Sequence, residues 1–130
     1  MIDLVLPPVM KTGIKLIDEQ HQLLISLVND FEQAISRDID EVHIEGILQE
    51  LINYISYHFK AEEELMARNN YPGFSKHKET HDDLVKKVIG FHEQFKKGEQ
   101  NLEQEIMVFL KDWVIHHISK TDMEYVPYIN

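Results

Sequence analysis

The 130 residues contain no cysteine. Disulfides, thiolate zinc sites, iron–sulfur clusters and a cysteine nucleophile are thereby excluded. Basic residues are scarce: 13 Lys and Arg stand against 23 Asp and Glu, a formal net charge of −10. Such a surface repels phosphate backbones and anionic headgroups, so neither nucleic acid nor membrane insertion is expected. Long hydrophobic runs are missing too; nothing approaches the roughly 18 uninterrupted apolar residues of a membrane span. Residues 1–9 lack a basic region and a long enough apolar run for a signal peptide, so a cytoplasmic protein is expected.

What is present fits one folded domain. Hydrophobic residues make up 43% and charged residues 28%, a balance that supports a core rather than a disordered chain. Apolar residues recur at helical spacing in four segments. The first runs from about Asp18 to Ser36, with Ile17, Leu24, Val28, Phe31 and Ile35 on one stripe. The second runs from about Glu41 to Ala67, capped by Asp40, with Ile44, Leu48, Leu51, Ile55 and Leu65. Turn residues 69–73 end it. The third runs from about Phe74 to Lys97, with Leu84, Val88, Phe91 and Phe95 and a terminating Gly98. The fourth runs from about Asn101 to Ser119, with Leu102, Ile106, Leu110 and Trp113. No strand pattern appears. The fold class expected is all-α: an antiparallel up-down-up-down four-helix bundle over 17–122. An extended N-terminal arm over 1–16, marked by Pro7-Pro8, precedes it, and a tail over 123–130 follows.

Eight histidines stand out, and each stripe runs into at least one. The stripes read Ile17, His21, Leu24; then Ile55, His58, Glu62, Leu65; then His77, His81, Leu84; then Leu110, Trp113, His117. These are core positions, where an unpaired polar group costs about 1–3 kcal/mol and a lone carboxylate more. Six such groups need a ligand. In an up-down-up-down bundle, the start of one helix lies beside the end of the next. The six therefore gather at one end of the core. Neutral imidazoles with carboxylates are what a metal ion takes. His58 and Glu62 are four apart, as are His77 and His81, so each pair shares a helix face. His117 and Asp122 are five apart, which one face of a regular α-helix does not accommodate. Asp122 joins the cluster only if the helix ends or unwinds near Lys120-Thr121; alone it reads as a surface charge. His43, His92 and His116 lie off the stripes and read as surface or boundary residues.

Other metal and catalytic patterns fail. His77-Lys78-Glu79-Thr80-His81 is not H-E-x-x-H, since Glu79 faces away. No E-x-x-H pair supports a carboxylate-rich di-iron site. There is no Gly-rich phosphate loop and no nucleophile elbow.

Several stretches resemble the hemerythrin family in its single-domain bacterial form. They are Gly13-Ile14, Ile17-Asp18-Glu19-Gln20-His21, and His58-Phe59-Lys60-Ala61-Glu62-Glu63-Glu64-Leu65-Met66. Tyr71-Pro72 leading to His77 and His81, and Trp113 with His117-Ile118-Ser119-Lys120-Thr121-Asp122, complete the likeness. The resemblance implies two iron ions, bridged by an oxo or hydroxo group. His77, His81 and His117 would hold one, His21 and His58 the other, and Glu62 and Asp122 would bridge them. It implies reversible dioxygen binding at an open position of one iron, for carriage, storage or delivery to an oxygen-consuming partner protein. Leu24, Phe59, Trp113, Val114 and Ile118 match the family's apolar pocket over that position. By the same resemblance no enzyme is expected; a peroxidase-like or nitric-oxide-handling enzyme and an oxygen sensor are the alternatives. Two departures are evident: Leu4, Val5 and Leu6 stand where the family carries an N-terminal tryptophan, and Val114 is smaller than the usual leucine. Polar surface stripes favour a monomer.

Overall fold

A computed structural model describes residues 10–37, 39–98 and 102–129. Four helices follow one another: α1, Lys15–Ser36; α2, Glu41–Arg68; α3, Phe74–Lys96; and α4, Leu102–His116. The expected bundle is what forms. α1 and α3 each pack against both α2 and α4, and the short connections make neighbours antiparallel. Of the expected arm over 1–16, residues 1–9 with Pro7-Pro8 lie outside the described residues, and Lys15 and Leu16 belong to α1. No described helix is long and apolar enough to cross a membrane.

Local chemistry sets the helix ends. Asp40 caps α2 by accepting the His43 N–H at 3.0 Å. Gly98 follows the end of α3 with φ +82, a left-handed conformation that glycine adopts at little cost. α1 begins three residues earlier than its stripe implies. The Asp18 carboxylate reaches back to accept from Thr12 N and Oγ1, both at 2.8 Å, and from Gly13 N at 3.1 Å. That fold-back supports the first turn, which has no side-chain cap of its own.

α4 does not simply stop. Its α-helical hydrogen bonding ends at His116, and residues His117–Thr121 continue as a π-helical turn. The Asp122 N–H bonds to the His117 carbonyl, a span of five residues. This wider turn is the device that brings His117 and Asp122 onto one face. Two short 3₁₀ turns, Asp122–Glu124 and Val126–Tyr128, follow.

The half of the bundle away from His21, His58, His77, His81 and His117 is largely apolar. Phe31, Leu48, Leu51, Ile106 and Leu110 are fully buried there. Phe31 has no exposed surface, so Phe31→Ala should cost about 3–5 kcal/mol. A lower chemical-denaturation midpoint at unchanged slope checks it.

Four details differ from the stripes. Leu65 is half-buried, and Met66 takes its core place with 0% exposure. Trp113 and Ile35 pack at the core's edge rather than inside it. His92 is buried, not superficial; its Nε2 lies 3.5 Å from Glu45 of α2. The surface is less polar than expected, with Leu16, Leu23, Val42, Tyr57, Val108 and Ile115 exposed.

Candidate metal centre

All seven residues expected at the site meet at one end of the bundle. His21 comes from the second turn of α1 and His58 and Glu62 from the second half of α2. His77 and His81 come from the first turns of α3; His117 opens the π-helical turn after α4, and Asp122 caps it. None is more than 4% exposed. They fall into two overlapping groups whose potential ligand atoms lie within 4.8 Å of one another: Glu62, His77, His81, His117 and Asp122; and His21, His58, Glu62 and Asp122. The two carboxylates belong to both.

The atoms point inward at shared points. His117 Nε2 lies 2.8 Å and His77 Nε2 3.0 Å from Asp122 Oδ1, while His21 Nε2 lies 2.9 Å from Asp122 Oδ2. Asp122 thus turns one oxygen to each group. Glu62 Oε1 lies 3.2 Å from His81 Nε2 and 3.5 Å from His58 Nε2. His81 and His117 bring their Nε2 atoms to 3.0 Å. Metal–nitrogen bonds of about 2.0–2.1 Å meeting at a right angle place two donors roughly 3 Å apart, so this spacing suits two ligands of one ion.

Most of these close contacts lack hydrogen-bond geometry. The Nε2 atoms of His21, His58 and His77, Glu62 Oε1 and both Asp122 oxygens are buried without hydrogen-bond geometry to any partner. Six orphaned polar atoms in one buried cluster, all of metal-ligand type, fit cations.

The electrostatics agree. Burial opposes a charge on Asp122, but contacts with His117, His21 and His77 outweigh it and hold the carboxyl well below its ordinary range. Burial and the Asp122 charge push Glu62 up, yet His21, His81 and His58 bring it below its ordinary value. Burial lowers His21 as well; the two carboxylates outweigh that and raise it to about 9. Burial dominates at His58 and lowers it to about 4. His81 is raised, since Glu62 and Glu63 overcome its burial.

The residues expected to form an apolar pocket also gather here. Leu24, Phe59, Val114 and Ile118 are buried, and Trp113 is half-buried against them. Phe59 stacks flat on His81 with ring centroids 3.7 Å apart, and Trp113 on His117 at 4.3 Å. A cavity of about 440 Å³ lined by Tyr71, Lys76, Thr80, Thr121 and Glu124 reaches His77.

Three contributors escape the stripe pattern. Gln20 accepts a hydrogen bond from His58 Nδ1 at 2.6 Å. Glu63 lies 2.9 Å from His81 Nδ1. Tyr125, within the expected tail, is fully buried and donates its hydroxyl to Glu62 Oε2 at 2.7 Å. Gln20 and Glu63 each neighbour a stripe residue in sequence, and Tyr125 follows Asp122 by one short turn; that adjacency is the signal available.

Residues 12–129 match the family model of the hemerythrin HHE cation binding domain. The chain is 33% identical over 116 residues to a bacteriohemerythrin of Methylococcus capsulatus, covering 89% of this chain and 88% of that protein. It is 33% identical to a hemerythrin-like protein of Naegleria gruberi, covering 84% of this chain and 79% of that one. Among solved structures, wild-type hemerythrin superposes with a TM-score of 0.81 at 33% identity, covering 89% and 88% of the two chains. A leucine-to-tyrosine mutant of hemerythrin superposes at 0.87 with 30% identity and 97% coverage of both.

Proposed function

Since this chain belongs to the hemerythrin family, we propose that the cluster holds two iron ions and binds dioxygen reversibly. The carrying observation is the set of buried orphaned ligand atoms in two groups that share Glu62 and Asp122. In this reading His77, His81 and His117 would hold one ion and His21 and His58 the other, with Glu62 and Asp122 within reach of both. Iron bound there would supply the electrons that dioxygen binding requires.

The protein's own contribution is enclosure and fixed geometry. Leu24, Phe59, Val114 and Ile118 keep water from the approach to the ions, and a dry approach slows proton-assisted loss of the bound gas. Phe59 and Trp113 hold the rings of His81 and His117 by stacking. Tyr125 sits deep enough that burial and the nearby carboxylates raise its hydroxyl far above its ordinary value. It therefore keeps its proton and serves as a fixed donor to Glu62.

The test is optical. Iron-loaded, reduced protein should develop a visible absorption on adding dioxygen and lose it when the gas is removed under argon. Irreversible oxidation on first exposure, or turnover of peroxide without a reversible spectrum, would overturn dioxygen carriage.

A further inference from the structure

Two residues outside the ligand set treat the two metal positions differently. A histidine whose Nε2 faces a metal carries its proton on Nδ1 and donates it outward. Among the described residues, two of the five cluster histidines have a side chain that accepts that proton. His58 donates to the Gln20 amide oxygen at 2.6 Å, and His81 donates to the Glu63 carboxylate at 2.9 Å. The outer nitrogens of His21 and His117 are buried without a partner.

The acceptors differ in charge. A carboxylate draws the proton outward, makes the ring a stronger base and adds negative charge near the ion. An amide oxygen fixes the tautomer and the ring's orientation but brings no charge. The carboxylate-backed ring lies in the group with three histidines, and the amide-backed ring in the group with two. Both differences act in one direction. Placement reinforces them: Gln20 is 6% exposed and precedes His21 in α1, so one helical turn supplies a ligand and orients its neighbour across the α1–α2 interface. Glu63 follows Glu62 in α2 and reaches across to α3.

We propose that Gln20 and Glu63 are positioning residues that make the two sites unequal. The His77–His81–His117 position binds a divalent ion first and more tightly, and the His21–His58 position fills second. This rests on the two-ion reading above. Reversing the acceptors should reverse or erase the inequality.

The experiment titrates the metal-free full-length chain with Fe(II) under argon, followed by calorimetry. The wild type should show two steps separated by about tenfold or more in affinity, and His58→Leu should retain only the first. Gln20→Glu should tighten the second step by about tenfold and leave the first unchanged. Gln20→Leu should weaken the second step alone, and Glu63→Gln the first step alone, each by about 10–100-fold, the usual effect of losing an outer partner. Thermal unfolding of each metal-free variant separates misfolding from altered binding. Two equal steps insensitive to Gln20 and Glu63, or variants that weaken both steps alike, would overturn this inference while leaving the two-ion site standing. Absence of any binding by the wild type would instead overturn the site itself.

Discussion

Glu62→Ala should abolish binding of both metal ions, whereas His58→Ala should remove one. Glu62 belongs to both ligand groups and has no exposed surface. Its Oε1 lies 3.2 Å from His81 on one side and 3.5 Å from His58 on the other. Truncation therefore deletes an anionic donor from each position. It also leaves the Tyr125 hydroxyl, which Glu62 accepts at 2.7 Å, without its partner. The expected loss exceeds about 100-fold in affinity for each ion, beyond the 10–100-fold typical of an outer-partner mutation. His58 belongs to one group only, so its removal should leave the His77–His81–His117 position occupied. Metal content after loading and desalting, with far-ultraviolet circular dichroism to verify folding, separates the two. A Glu62→Ala variant that still holds one ion firmly would show that the groups do not share this carboxylate.

Removal of metal should expose a chain that is most stable near pH 6.5 and weakens on both sides. On the acid side the dominant group is His58, at about 4 in the folded chain against an ordinary 6.5 because it is buried. Between those values the unfolded chain takes up a proton that the folded chain refuses, so stability falls as pH falls. A shift of that size corresponds to roughly 3 kcal/mol. Below about pH 4 the lowered carboxyls of Asp122 and Glu62 add to the loss, since their stabilising charge disappears as pH falls through their folded values. On the alkaline side His21 acts oppositely. Its folded value is raised to about 9, so its contribution is complete below 6.5 and is lost as pH climbs to 9. His81 shifts the same way. Metal replaces these protons with a cation, so the loaded protein should keep its stability on the alkaline side. At free metal a thousandfold above the dissociation constant, each ion adds about 4 kcal/mol. Denaturant unfolding of metal-free and loaded chains at several pH values checks both limbs. A flat profile for the metal-free chain would contradict the assigned proton placement.

Much of this architecture was legible in the residues. The 3–4 spacing defines four helices, and antiparallel order alone gathers His21, His58, Glu62, His77, His81 and His117 at one end. The missing parts have physical reasons. Asp122 is five residues from His117, and only the π-helical turn reconciles that spacing with one face; no periodicity based on 3.6 residues anticipates it. Gln20, Glu63 and Tyr125 act from beside the core stripe, where polar residues are ordinary, so their roles emerge only from tertiary contacts. His92 lies off the α3 stripe yet is buried, because α2 and its Glu45 cover that flank. Leu65 and Met66 exchange core places because the stripe after Glu62 can advance by three or by four residues, a one-residue difference that spacing does not resolve.

The central claim is that a bundle of this sequence encloses two iron ions. Metal analysis of the protein purified from iron-replete cells tests it most directly. Two irons per chain, lost together in Glu62→Ala, are the predicted result. One iron or fewer per chain, or another metal in iron's place under those conditions, would contradict it.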